Sequence, residues 1–278
     1  MKTRGRTKGR PPGIHLARDK RGVATLTVDN RERLNILGVQ LIADATRAVR
    51  SLQSDDGLRV LVLTGAGAKA FIGGADIREM AALSPDSARG FITNLHNFCQ
   101  ALRDLPVPVI AKIRGYCLGA GLEVAASCDL RVAAKGSQFS MPEVKVGIPS
   151  VIEAALLPSL IGWGKTRELL YTGKFIGAEE ALRWGLVGRV VPAAALDRAA
   201  EEWIGAILEC GPQAIRSQKA LLLEWEKVSI DEAIDVSISA FSLSFETGEP
   251  QQMMGAFLNR SRRSKPKKPA IKSRKKSK

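Results

Sequence analysis

Ile113-Arg-Gly-Tyr-Cys-Leu-Gly-Ala-Gly-Leu-Glu-Val-Ala-Ala-Ser-Cys-Asp-Leu-Arg131 decides how the chain is read. The apolar run from Val107 to Ile113 ends in small residues, and helical spacing begins at about Ala120. Gly115, Gly119 and Gly121 bracket this strand-to-helix turn. The first N–H groups of a helix have no intrahelical partner and carry the positive end of its dipole. Such a start can hold a developing oxyanion. With Ala120 as the first helical residue, Glu123 falls at i+3 on the same face. A carboxylate one turn from oxyanion donors is catalytic geometry, although a glutamate favoured at a helix start by the dipole alone fits the same residues.

Working outward, two short stretches stand ready to meet this turn. Upstream, Phe71-Ile-Gly-Gly-Ala-Asp76 follows a buried strand. Its two glycines permit positive φ and close backbone approach to a ligand, and Asp76 suits the N-cap of a short helix from Ile77 to Leu83. Downstream, Ser140-Met-Pro-Glu143 offers a second carboxylate in a proline-constrained loop ahead of Gly147-Ile-Pro149. Taken singly, these are also an ordinary strand-to-helix turn and a solvated loop glutamate.

The remaining pattern supplies a frame. Gly22 to Val28 alternates and is β-branched, Arg59 to Thr64 is a continuous apolar strand suited to burial on both faces, and Leu130 to Ala134 is a further strand. Helical spacing runs from Gly38 to Leu52 and from Pro85 to Arg103. Alternating strands and helices predict a mostly parallel sheet layered by helices. From about Ile152 the pattern is helical almost throughout, interrupted by a strand-like Leu186 to Val191. The expected organisation is an α/β core over 13–195, a helical C-terminal region over 196–259, and basic tails at 1–12 and 260–278.

Composition narrows the chemistry. A chain of 278 residues, 45% apolar, can bury a full core. No apolar run approaches the roughly 20 residues that span a bilayer, and the start lacks the charged-then-apolar form of a signal peptide. Cytoplasmic residence is expected. The four cysteines are scattered without a Cys-x-x-Cys pair and read as reduced thiols. The two histidines, His15 and His96, sit in unrelated contexts and read as surface or packing residues. No metal site and no Ser/His or Cys/His pair is expected. The net charge of +14 is concentrated at the ends: residues 1–10 hold five Lys/Arg, residues 260–278 hold eleven, neither holds an acid, and the body between is at −2. The body is therefore not a basic binding surface. The tails are expected to be disordered, and contact with nucleic acid or an anionic surface is confined to them.

Taken together, the motifs resemble the enoyl-CoA hydratase/isomerase (crotonase) superfamily, closest to the enoyl-CoA hydratases. Phe71 to Ile77 is similar to its first oxyanion segment, Gly115 to Leu130 to its second, and Pro142-Glu143 stands where hydratases carry a second acid, twenty residues after Glu123. Arg33-Leu-Asn35 resembles the early coenzyme A-contacting loop, although the usual proline is missing from Asn30 to Asn35. Thr172-Gly173, Ala178 to Val187 and Val190-Val-Pro192 are similar to the family's linker before its last helices. The resemblance covers roughly residues 15–260.

The resemblance implies a crotonase-like ββα spiral core with a helical trimerisation region, assembled as trimers or hexamers. It implies an enoyl-CoA hydratase acting in fatty acid metabolism, with coenzyme A entering as part of the substrate and no separate cofactor. The backbone N–H groups of Ala75 and Ala120 would hold the thioester oxygen. Glu123 and Glu143 would hold one water and exchange protons with it. Arg33, Leu34, Asp76 and Ile77 would join Ala75 and Ala120 in binding substrate. Double-bond isomerisation and other lyase or hydrolase chemistry share this oxyanion hole, but two glutamates favour hydration. A nucleic-acid-binding or scaffolding role through the tails is the alternative from another class. One departure bears on the pocket. Where hydratases carry a small, glycine-rich run, this chain has Ser150-Val-Ile-Glu-Ala-Ala-Leu157. Val151, Ile152 and Glu153 are expected to narrow or re-polarise the acyl site, with Glu153 either a third carboxylate near it or only a helix-start residue.

Overall fold

The computed structural model describes residues 11–263. In chain order its elements are β1 (Gly13–Arg18), β2 (Val23–Asp29), α1 (Val39–Arg50), β3 (Val60–Gly65), β4 (Ala70–Ile72), α2 (Ile77–Met80), α3 (Pro85–Arg103), β5 (Val109–Ile113), β6 (Tyr116–Leu118), α4 (Ala120–Ala126), β7 (Leu130–Ala134), β8 (Gln138–Ser140), α5 (Leu157–Thr172), β9 (Ile176–Gly177), α6 (Ala178–Trp184), β10 (Arg189–Val191), α7 (Leu196–Leu208), α8 (Pro212–Trp225), α9 (Ile230–Ser244) and α10 (Glu249–Arg263).

Two sheets organise the first compact unit. Six strands run in the order β1-β2-β3-β5-β7-β10, and four in the order β4-β6-β8-β9. In the first sheet only β1 pairs antiparallel, with β2; every later neighbour is parallel. In the second, β4, β6 and β8 are parallel and β9 closes antiparallel on β8. Three times in succession, a long strand of the first sheet is followed by a three-residue strand of the second: β3 then β4, β5 then β6, β7 then β8. The mostly parallel sheet expected from sequence is present. These strand pairs, the first two followed by helix, form the ββα spiral that the family resemblance implies.

β3 shows why the first sheet is the spine. Leu61 and Leu63 join the main core, which also takes Ile42, Phe98, Leu102 and Leu122 from α1, α3 and α4. Val60 and Val62 point to the other face, where Leu196, Ala199, Ala200 and Ile204 of α7 cover the sheet. Alternate residues of one strand thus enter two cores, as the period of two requires. The α7 packing also corrects the expected domain division. The first unit runs to Cys210, not to 195, because α7 completes the layer beneath the sheet.

The second unit begins at Gly211. Glu249, at the start of α10, accepts hydrogen bonds from Gln213 N–H (3.1 Å) and Ala214 N–H (2.8 Å), satisfying donors of the first turn of α8. Ser229 and Glu232 form a capping box on α9. Ile230, Ile234, Ile238 and Phe241 recur every three or four residues along α9, Phe245 follows at its C-cap, and all are exposed. Helix α10 extends to Arg263, past the tail boundary expected at 260. The rest of both basic tails lies outside the described residues, apart from Pro11 and Pro12. Among the described residues no helix is long and apolar enough to cross a membrane.

Candidate active site

α4 begins where sequence reading put it, at Ala120, and every residue of its seven is buried. The helix lies tight on the second sheet at Gly121, where a Cβ would run into the Ile72 carbonyl of β4. It is preceded by Gly119 at φ 50°, ψ −120°, a conformation that L side chains avoid. Gly119 N–H donates to the Ser140 carbonyl at 2.9 Å, tying the turn to the end of β8. That link brings Glu143 alongside: a Cβ on Gly119 would overlap its Oε1. Two of the three sequence stretches therefore meet at Gly119.

The third stretch is fixed by a bridge between Leu37 and the Gly74–Asp76 turn. Leu37 N–H donates to Gly74 O (2.8 Å) and Asp76 N–H donates to Leu37 O (2.9 Å). Ala75 N–H is left between them with no backbone acceptor among the described residues. Ala120 N–H, in the first turn of α4, has none either. Ala75, Ala120, Glu123 and Glu143 all border one cavity of about 880 Å³. Its walls are apolar side chains of α2 and α3, among them Ile77, Met80, Phe91, Ile92 and Leu95, with Ile148 and Val151 opposite. Arg89 and Lys145 also border it.

Both carboxyls are perturbed. Burial first, then the negative charges of Glu143 and Glu153, push Glu123 up to about 8. The nearby backbone N–H dipoles of Ala154 and Val151 offset part of that rise. Burial also raises Glu143, against its own backbone N–H and the Ser150 hydroxyl, which donates to Oε2 at 2.9 Å. Burial thus holds both carboxyls of one cavity above their ordinary range. Carboxyls that interact titrate as a pair, and acid–base work on one water requires one member ionised and one protonated.

The expected binding residues divide. Ile77 borders the cavity with Ala75 and Ala120. Asp76 does not: it is buried, accepts from Arg78 N–H at 3.0 Å as the N-cap of α2, and takes the Arg33 guanidinium at 2.8 Å. Arg33 is committed to that ion pair, and Leu34 turns the loop at φ 56°, its carbonyl accepting from Gly73 N–H at 2.9 Å. These three residues brace the Gly73–Ala75 turn from behind and are not on the cavity wall. The missing proline has a substitute: buried Asn35 donates to Ala66 O and Ala70 O and holds the loop.

Of the glycine-replacing residues, Val151 lines the cavity, and Glu153 is buried next to Glu123 with His96 at 2.7 Å. Sequence reading assigned no role to His96 or Ser150. The α3 face bearing Phe91, Leu95 and Phe98 was legible as helix, and His96 lies one residue off that stripe, which is the signal available. Ile152 sits at φ 41°, a strained setting for a β-branched residue, where a glycine would be at ease.

Comparison with known proteins places the chain in a family. The family model for enoyl-CoA hydratase/isomerase matches residues 18–265. A crotonyl-CoA hydratase of Syntrophomonas wolfei is 36% identical over 239 residues, covering 86% of this chain and 92% of its own. A short-chain-enoyl-CoA hydratase of Clostridium acetobutylicum is 34% identical over the same coverage. The crystal structure of an enoyl-CoA hydratase from Mycobacterium smegmatis superposes with a TM-score of 0.87 at 30% identity, over 90% of this chain and 97% of the other. The chain belongs to the enoyl-CoA hydratase/isomerase family.

Proposed function

We infer that the protein is an enoyl-CoA hydratase, adding water across the double bond of a trans-2-enoyl-CoA thioester. The observation that carries the reading is the joint placement of two unpaired N–H groups and two carboxyls of raised affinity for protons on one apolar-walled cavity. In this reading the thioester oxygen accepts from Ala75 N–H and Ala120 N–H. Water held between Glu123 and Glu143 gives a proton to one carboxylate as its oxygen bonds the β-carbon. The π electrons move onto the thioester oxygen, where each N–H donor lowers the barrier by about 3 kcal/mol. As the enolate collapses, the other carboxyl gives its proton to the α-carbon. Glu123 is assigned the water and Glu143 the α-carbon. The cycle closes when the proton returns to Glu143. Coenzyme A is part of the substrate, and no further cofactor is required by these steps.

The apolar α2–α3 wall suits an acyl chain, and crotonyl-CoA is the first substrate to test because two of the relatives act on short-chain enoyl thioesters by name. The exposed stripe on α9 suits a homotrimer or a hexamer of two trimers. A cytoplasmic location fits the same reading. Purified protein mixed with crotonyl-CoA should consume the enoyl-thioester absorbance, and the Glu123→Gln, Glu143→Gln double variant should not. Unaltered turnover in the double variant would overturn the assignment.

A further inference from the structure

Glu153 is a buried acid that the hydration steps leave unused. Its side chain is only 6% exposed, yet among the described residues Oε2 has no hydrogen-bond partner. Oε1 lies 2.7 Å from His96 Nδ1, on a ring that is 44% exposed. Among the described residues His96 is the basic side chain at ion-pair distance from it. A half-satisfied buried carboxyl works against stability. Its position supplies the reason to look further. Glu153 stands between Val151 and Ala154, on a segment packed against α4 that carries a strained φ at Ile152. Its own charge and the backbone N–H dipoles of those two neighbours all act on Glu123.

We propose that Glu153 and His96 are positioning residues for the hydration step: a charge pair behind Glu123 that governs how it shares a proton with Glu143. The groups facing this pair are few. Glu123 approaches from α4, with Glu143 beyond it. From α3 come His96 itself and the Cys99 thiol, a weak donor that burial keeps protonated. The Ser127 hydroxyl donates to the Glu123 carbonyl at 2.8 Å. Arg89 and Lys145 lie on the cavity wall. With His96 protonated, the pair is neutral overall and Glu123 feels little field. With His96 neutral, Glu153 stands as an uncompensated like charge, and Glu123 holds its proton more tightly.

The inference rests on the hydratase reading, so its test uses two readouts, one independent of turnover. The first is the pH profile of kcat/KM for crotonyl-CoA. Glu153→Gln, which keeps shape and removes charge, should move the acid limb, where Glu123 ionises, to lower pH by on the order of one unit. His96→Gln removes the offsetting cation and should move the acid limb to higher pH. The double variant should follow Glu153→Gln, because His96 acts through Glu153. The second readout is thermal unfolding against pH. The loss of stability that Glu123 causes as pH rises should be smaller in Glu153→Gln than in the parent chain. Shifts of opposite sign in the two single variants support the pair. Limbs and unfolding profiles that stay in place while kcat falls, or that move in one direction in both variants, overturn it. Should Glu153→Gln fail to fold, His96→Gln alone still decides, since an unmoved acid limb contradicts the proposal. If the parent chain hydrates nothing, the hydratase reading fails and the unfolding profiles alone judge the pair.

Discussion

Glu123 bears opposing demands: it is buried against two other carboxylates, yet its chemistry needs it to ionise. Its raised affinity has a consequence for stability. Between its ordinary value of 4.5 and about 8, the folded chain holds a proton that the unfolded chain has released. Stability therefore falls as pH rises through that window. Glu123→Gln removes the effect, so its thermal midpoint should exceed that of the parent chain at the alkaline end and show no gain at the acid end. The same variant should lose about 10²- to 10⁴-fold in kcat, the usual worth of a positioned acid–base group. A neighbouring residue tests the geometry. Gly119→Ala places a methyl on Glu143 Oε1 and forces an L residue to φ 50°. It should cost about 1 kcal/mol or more in chemical denaturation. It should also depress kcat more than KM, because Glu143 must move.

At the scale of elements, the claim is that the start of α4 supplies a donor. Ala120→Pro is a direct probe, because proline is tolerated at the first helical position and replaces the N–H with a ring carbon. Circular dichroism and the unfolding midpoint should stay near those of the parent chain while kcat drops by about 10²- to 10³-fold. A variant that folds and keeps full activity would remove Ala120 from the oxyanion site. Elements also mark what the sequence could reveal. α1, α3, β3 and α4 were legible because each is long, periodic or bounded by glycine. β4, β6, β8 and β9 were not, since two or three residues are too few to show alternation. Their existence followed from the family resemblance. Glu123 and Glu143 could be picked out by motif, but their meeting at Gly119 depends on the β6–β8 pairing. The Arg33–Asp76 ion pair was not legible, because a loop that braces a binding turn and a loop that binds carry the same polar residues. His96 and Glu153 are 57 positions apart, beyond any local pattern.

At the scale of the molecule, the exposed Ile234, Ile238 and Phe241 on α9 form an apolar face that a solitary chain would leave in water. Phe241→Asp should shift the protein towards monomer in light scattering. The basic tails lie largely outside this picture, and the body near charge −2 gives the cavity no need of them. Deleting 264–278 should leave hydration of crotonyl-CoA unchanged in steady-state kinetics. The central claim, that one cavity adds water to an enoyl thioester, is tested most directly by mass spectrometry of the acyl-CoA product formed in heavy-oxygen water. The account predicts a product heavier by one water, with the heavy oxygen in its acyl chain, and no such product from the Glu123→Gln, Glu143→Gln variant. An acyl-CoA of unchanged mass, or release of free coenzyme A with the label in a carboxylic acid, would contradict it.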